Sequence, residues 1–216
     1  MKLLDRMLDI VFPDRLVCLS CGREAEVNEA GFCAECALGV ELFNSAPPLE
    51  GIDGFTAVYI YNEVSSRMVK RLKYQGKRYM AKPLSEKLVI PDDWNIDAIV
   101  PVPLHYKRER ERGFNQSELI AKHLAKRLGV RLDTSLLARI KNTKQQAELT
   151  VAGRRRNVKD AFCADESANG LNVLLIDDVR TTGATLISCA EALRRFGCGK
   201  VYAATVCFAS GEGRNK

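Results

Sequence analysis

The run Val173-Leu174-Leu175-Ile176-Asp177-Asp178-Val179-Arg180-Thr181-Thr182-Gly183-Ala184-Thr185 constrains this chain more than any other stretch. Four consecutive aliphatic residues predict a buried strand, and two adjacent carboxylates end it. A Thr-Thr-Gly-Ala-Thr turn then opens a helix whose apolar stripe runs through Leu186, Cys189/Ala190, Leu193 and Phe196. The first turn of that helix presents unpaired backbone N–H groups and the positive end of a dipole, an arrangement that suits an anion. Thr181, Thr182 and Thr185 add hydroxyl donors, and Gly183 lets the backbone come close or take positive φ. Ionised Asp177 and Asp178 only accept hydrogen bonds, so they call for donors such as a vicinal diol, or for a metal. The plainer alternative is an ordinary strand–turn–helix with a solvated acidic turn.

A phosphate beside a diol describes a ribose 5-phosphate. The stretch closely resembles the phosphoribosyl pyrophosphate (PRPP) motif of type I phosphoribosyltransferases. That resemblance implies that Asp177 and Asp178 hold the ribose hydroxyls while Thr181, Thr182, Gly183, Ala184 and Thr185 hold the 5-phosphate. It also implies Mg²⁺ accompanying PRPP. Arg180 stands where a more neutral or apolar residue is expected, and its role is open.

Two C-x-x-C pairs, Cys18/Cys21 and Cys33/Cys36, lie eleven residues apart near the start of the chain. Such pairs favour a closed four-thiolate zinc site, structural and not catalytic, in a compact ribbon or knuckle; a redox pair and coincidence are the alternatives. Cys163, Cys189, Cys198 and Cys207 are scattered and read as small core residues. Ahead of the cysteines, Leu3, Leu4, Met7, Leu8 and Val11 share one helical face before Pro13, interrupted by Asp5, Arg6 and Asp9. That pattern is not a signal peptide, and no other segment is long enough to span a membrane, so a cytoplasmic protein is expected. A net charge of +6 suits phosphorylated ligands or nucleic acid without choosing between them.

Between these landmarks, residues 45–51 read as a linker and 55–61 as a strand. Residues 64–72 and 80–88 read as helices joined by a cationic turn, Lys73 to Lys77, which either faces a ligand or, by default, is solvated surface. Residues 98–103 form a strand ended by prolines. A charged loop, 105–113, follows, with Lys107, Arg108, Arg110 and Arg112 among its cations. Asn115 and Glu118 suggest a capping box for the next helix, whose stripe is Ile120, Leu124 and Leu128. A charge run is usually just solvated surface. Its place after a strand and before a helix matters, because open α/β sheets bind ligands at the carboxyl ends of their strands. It resembles the pyrophosphate loop of the same transferases, with Arg108 and Arg112 as candidate catalytic residues. Residues 139–157 have weak periodicity and read either as a lid over the reaction centre or as a basic surface excursion, with Gln146, Arg154 and Asn157 the lid candidates. Residues 201–208 read as the last strand, and the tail from 210 should fray.

With Pro101-Val-Pro-Leu104, Arg112-Gly-Phe-Asn-Gln116, Gln146, Leu149, Arg154, Asn157 and Ala161-Phe162 behind a four-cysteine module, the chain resembles the ComF family of competence-associated proteins, GntX-type members included. The expected fold is α/β, a mainly parallel sheet flanked by helices. Residues 1–46 would form the N-terminal helix and zinc module and 51–216 the phosphoribosyltransferase-like domain, with 51–95 its hood or flanking part and 96–209 its core. The resemblance implies either a phosphoribosyltransferase whose acceptor is unspecified or a non-catalytic PRPP or nucleotide sensor. It further implies single-stranded DNA or DNA-uptake proteins as partners; the sequence does not indicate an oligomeric state. Because like charges repel, removing both carboxylates of the acidic pair is expected to leave the fold intact or slightly more stable.

Overall fold

The strand that carries the acidic pair lies in the middle of a five-stranded sheet. The computed structural model describes residues 17–141, 158 and 160–209. In chain order these comprise α1 (Ala34–Ala37), β1 (Gly54–Ile60), α2 (Glu63–Tyr74), α3 (Ala81–Glu86), β2 (Ala98–Pro101), α4 (Tyr106–Arg112) and α5 (Gln116–Leu128). Then follow β3 (Arg131–Leu132), β4 (Leu137–Arg139), β5 (Phe162–Ala164), β6 (Val173–Arg180), α6 (Ala184–Arg195) and β7 (Val201–Phe208). The main sheet has the order β1-β7-β6-β2-β3, every pairing parallel, and β4 with β5 forms a separate antiparallel hairpin.

Val173, Leu174, Leu175 and Ile176 have no solvent exposure, as the run of aliphatic residues requires of a strand covered on both faces. Leu174 and Ile176 pack with Ile120 and Leu124 of α5 and Met68 and Leu72 of α2. Val173 and Leu175 pack with Leu186, Cys189 and Leu193 of α6. The chain leaves β2 through α5 toward β3 on one side, and leaves β6 through α6 toward β7 on the other. The order therefore reverses between β2 and β6, which opens a crevice at their carboxyl ends where ligands of such sheets sit.

Several boundaries differ from the sequence reading. Strand β6 does not stop at the carboxylates: Asp177 pairs with Thr205, Val179 with Cys207 and Arg180 with Phe208. Backbone pairing to β7 carries it on, because each carboxylate finds a side-chain partner. The charged segment 105–113 is mostly helical rather than a loop. Its Lys, Arg and Glu residues are good helix formers, the His105 side chain accepts from Lys107 N, and Gly113 closes the helix at φ 78°. The helix expected over 80–88 is a 3₁₀ turn at Arg78–Met80 followed by the short α3. Asn115 caps α5 by accepting from Ser117 N (3.0 Å), while its amide donates to Val102 O (3.1 Å); no capping box with Glu118 forms. Cys163 alternates outward on β5 and is exposed, so it is not a core residue as Cys189, Cys198 and Cys207 are. The expected helix at 1–12, nearly all of the expected lid and the tail lie outside the described residues.

Candidate phosphoribosyl site

A cavity of about 560 Å³ opens at the reversal point. Its lining includes Asp177 and Asp178 of β6, Thr181 of the turn, Thr185 of α6, Arg108 and Arg112 of α4, Lys70, Lys73 and Tyr74 of α2, and Arg139 at the end of β4. Both predicted halves of the site, the acidic pair and the arginine segment, thus face one space. The three remaining candidates of the turn, Thr182, Gly183 and Ala184, do not line it but shape it. Gly183 takes φ 77°, and a Cβ there would stand 2.4 Å from Leu49 Cδ2 of the linker. Glycine suits this position, since the left-handed backbone strains any other residue and a side chain would also have to displace the end of Leu49. Thr182 Oγ1 accepts from Ala184 N (3.4 Å), and α6 begins with its N–H groups directed at the turn.

The acidic residues are not equivalent. Asp177 Oδ1 accepts from Ser117 Oγ (2.9 Å) and from Asp178 N (2.9 Å). Burial, then the charge of Asp178, pushes the Asp177 carboxyl up to about 7. Burial also acts on Asp178, but the ammonium of Lys73 overrides it and holds that carboxyl below the usual range. Lys73 Nζ forms an ion pair with Asp178 Oδ2. Burial and the neighbouring charge of Arg108 pull the Arg139 guanidinium, which also lines the cavity, down from its ordinary value. Two cations close enough to repel make a place for an anion. Arg112 donates to Gln116 Oε1 and lies 5.2 Å from the centre of the Tyr74 ring.

Arg180 faces away from this cavity. Its guanidinium lies 4.3 Å from the centre of the Phe55 ring and 5.1 Å from that of Phe208, and it donates to Pro47 O. Burial lowers its pKa to about 10. The residue whose role was open thus pins the linker against the sheet. Lys73, Ser117 and Arg139 were not singled out from sequence as site residues. Lys73 belongs to the cationic segment for which a ligand-facing role is the less usual reading, and it does line the cavity; Ser117 and Arg139 carry no pattern that marks them. The lid candidates Gln146, Arg154 and Asn157 lie outside the described residues.

The four cysteines Cys18, Cys21, Cys33 and Cys36 bring their sulfurs within 4.8 Å of one another, with Cys21 Sγ and Cys33 Sγ 3.9 Å apart. Tetrahedral zinc with Zn–S bonds of about 2.3 Å needs sulfurs roughly 3.8 Å apart, so the donor set fits zinc after a small contraction. Gly22 N donates to Cys18 O (2.9 Å), which closes the first turn, and Arg67 Nη2 reaches Cys36 Sγ at 3.8 Å. The knuckle packs on α2: Arg71 Nη1 donates to Cys18 O (2.6 Å) and Leu19 O (2.9 Å), and Ser20 Oγ donates to Val64 O (2.9 Å).

The phosphoribosyl transferase domain family matches residues 115–216. DNA utilization protein YhgH of Salmonella typhi is 30% identical over 207 residues, covering 88% of this chain and 89% of that protein. The chain belongs to the ComF family. Competence protein F of Haemophilus influenzae is 28% identical over 199 residues (85% and 87% of the two chains). Competence protein ComFC of Bacillus subtilis is 29% identical over 190 residues (84% and 72%). A ComF-family chain with a parallel sheet, a cysteine cluster and a phosphoribosyltransferase domain agrees with the fold the sequence implies.

Proposed function

We propose that this ComF-family chain binds PRPP in the cavity between β2 and β6 and transfers its phosphoribosyl group to an acceptor, in the use of exogenous DNA by a bacterial cell. The observation that carries the reading is that hydrogen-bond acceptors and anion-binding groups line one cavity of ligand size. Asp177 and Asp178 stand beside the Thr181–Thr185 turn, and Arg108, Arg112 and Arg139 line the same cavity. The turn and the start of α6 take the 5-phosphate, the carboxylates take the ribose hydroxyls, and the arginines take the pyrophosphate. When the bond between the anomeric carbon and the pyrophosphate oxygen breaks, negative charge grows on the leaving group. Fixed guanidinium groups stabilise that charge without reorganising. The acidic pair offers hard carboxylate oxygens that suit Mg²⁺ carried on PRPP, where it would neutralise part of the pyrophosphate charge.

The four cysteines are read as holding one structural zinc. Among the described residues no helix is long and apolar enough to cross a membrane, and the reading places the protein in the cytoplasm. The names of the relatives, competence and DNA utilization proteins, support a role in DNA use, with single-stranded DNA or uptake proteins as partners. Pyrophosphate release from PRPP, measured across a panel of bases and amines, tests the transfer reaction. Release that depends on one acceptor class supports an enzyme; PRPP binding without release under any acceptor would make the site a sensor.

A further inference from the structure

Helix α2 has two working faces. Val64, Arg67 and Arg71, spaced by three and four residues, meet the cysteine knuckle through the contacts described above. Val69 and Lys73 line the cavity from the opposite face, and Lys70 and Tyr74 line it from the flank beside Arg67 and Arg71. The helix start is fixed by a reciprocal cap, with Asn62 Oδ1 accepting from Ser65 N and Ser65 Oγ from Asn62 N. Lys73 is thus delivered to the acidic pair by an element held at its start and along its far side. Its ammonium meets Asp178 Oδ2, the oxygen of that carboxylate shut off from solvent. Asp177 is held in the same manner, by Ser117 through Oδ1. Each carboxylate therefore has one oxygen held by the protein, and both residues line the cavity. A buried ion pair gives little net stability, because desolvation offsets most of its attraction. Its place at the wall of a ligand cavity points to a different benefit.

Resting on the phosphoribosyl reading of the cavity, we propose that Lys73 is a positioning residue for ribose binding, fixing the Asp178 carboxylate from its buried side so that its second oxygen meets the sugar hydroxyls already aimed. Lys73 acts through Asp178 and leaves the pyrophosphate end to the arginines of α4 and β4. Two carboxylates side by side repel, and the ammonium offsets part of that repulsion before any ligand arrives. Preorganisation of this kind raises affinity by removing the cost of ordering a group at the moment of binding.

The test uses the full chain with zinc retained, and titrates PRPP with Mg²⁺, and separately inorganic pyrophosphate with Mg²⁺, into wild type, Lys73→Met, Asp178→Asn and the double variant. Lys73→Met should weaken PRPP roughly 10- to 100-fold, the loss expected for one charged hydrogen-bonding partner. It should change pyrophosphate by less than about twofold, because the arginines are untouched. In the Asp178→Asn background Lys73→Met should cost nothing further, since the two act as one unit. If Lys73→Met alone does not fold, the comparison of Asp178→Asn with the double variant, which buries no lone charge, still decides the matter. Equal losses for both ligands would show a general structural role and overturn the proposal, as would a further tenfold loss in the double variant or undiminished PRPP binding by Lys73→Met. Wild type that binds pyrophosphate but not PRPP would instead overturn the phosphoribosyl reading on which the proposal rests.

Discussion

Adjacent carboxylates with opposite shifts are the chemical signature of the cavity. Asp177, raised to about 7, is protonated in the ligand-free fold over a pH range where the unfolded chain, near 3.9, has already ionised. The folded state then binds more protons, so the Asp177 contribution to stability is fully present only below about pH 3.9 and is lost progressively as pH rises from there through about 7. Urea melts of the ligand-free protein should therefore show less stability at pH 8 than at pH 6 from this group, and Asp177→Asn should remove that component of the slope. Asp178 has the opposite sign: its depressed pKa gives stability that is present above the unfolded value and lost only as pH falls below it. The ion pair with Lys73 also corrects the expectation that both charges can be deleted freely. Asp178→Asn leaves a buried ammonium without its partner, and breaking such a pair costs about 3–5 kcal/mol, reduced here because Lys73 keeps some access to solvent. Thermal melting should rank Asp178→Asn well below Asp177→Asn. The acidic pair and the Thr turn were legible in the sequence because their chemistry is contiguous. Lys73 was not, because its partner lies 105 positions further along the chain (178 − 73) and nothing local marks the contact.

At the scale of elements, β6 and its turn were foreseeable, while α4 was read as a loop. Charge in the segment 105–113 suggested solvent, yet the same Lys, Arg and Glu residues favour a helix once His105 and Gly113 close its ends. The helical form places Arg108 and Arg112, four residues apart, on one face toward the cavity. Spacing likewise announced the cysteine knuckle but not what it packs against. Its docking on α2 through Arg67 and Arg71 links the four-cysteine cluster to the cavity wall. A structural zinc contributes on the order of 10 kcal/mol to folding of a small module. Metal analysis should find about one zinc per chain, and chelation should increase hydrogen exchange in residues 17–40 and in α2 before the central sheet responds. Unchanged exchange in α2 after the knuckle has lost its metal would mean that the two are not coupled. At the turn, Gly183→Ala should destabilise the protein by at least 1–2 kcal/mol, the usual cost of a left-handed non-glycine residue, with the Leu49 contact adding to it. Denaturant unfolding checks this directly.

Across the whole molecule, the reversal of strand order between β2 and β6 brings together residues that sequence separates widely. Arg108 and Asp177 come from different βα units, and their meeting follows from the topology, which the alternation of strands and helices implied without its order. The net charge of +6 belongs to this scale as well. Single-stranded DNA binding led by that charge should weaken with salt, by about 0.7 log units per log salt for each phosphate engaged. A salt-independent affinity would point to contacts of another kind. The central claim is that the acidic pair holds the ribose of PRPP, and calorimetric titration of PRPP with Mg²⁺ tests it most directly. Hydrogen bonds to charged groups are worth roughly 1.5–3 kcal/mol each, so Asp177→Asn/Asp178→Asn should bind PRPP about two to four decades more weakly than wild type. Undiminished PRPP binding by the folded double variant would contradict the claim.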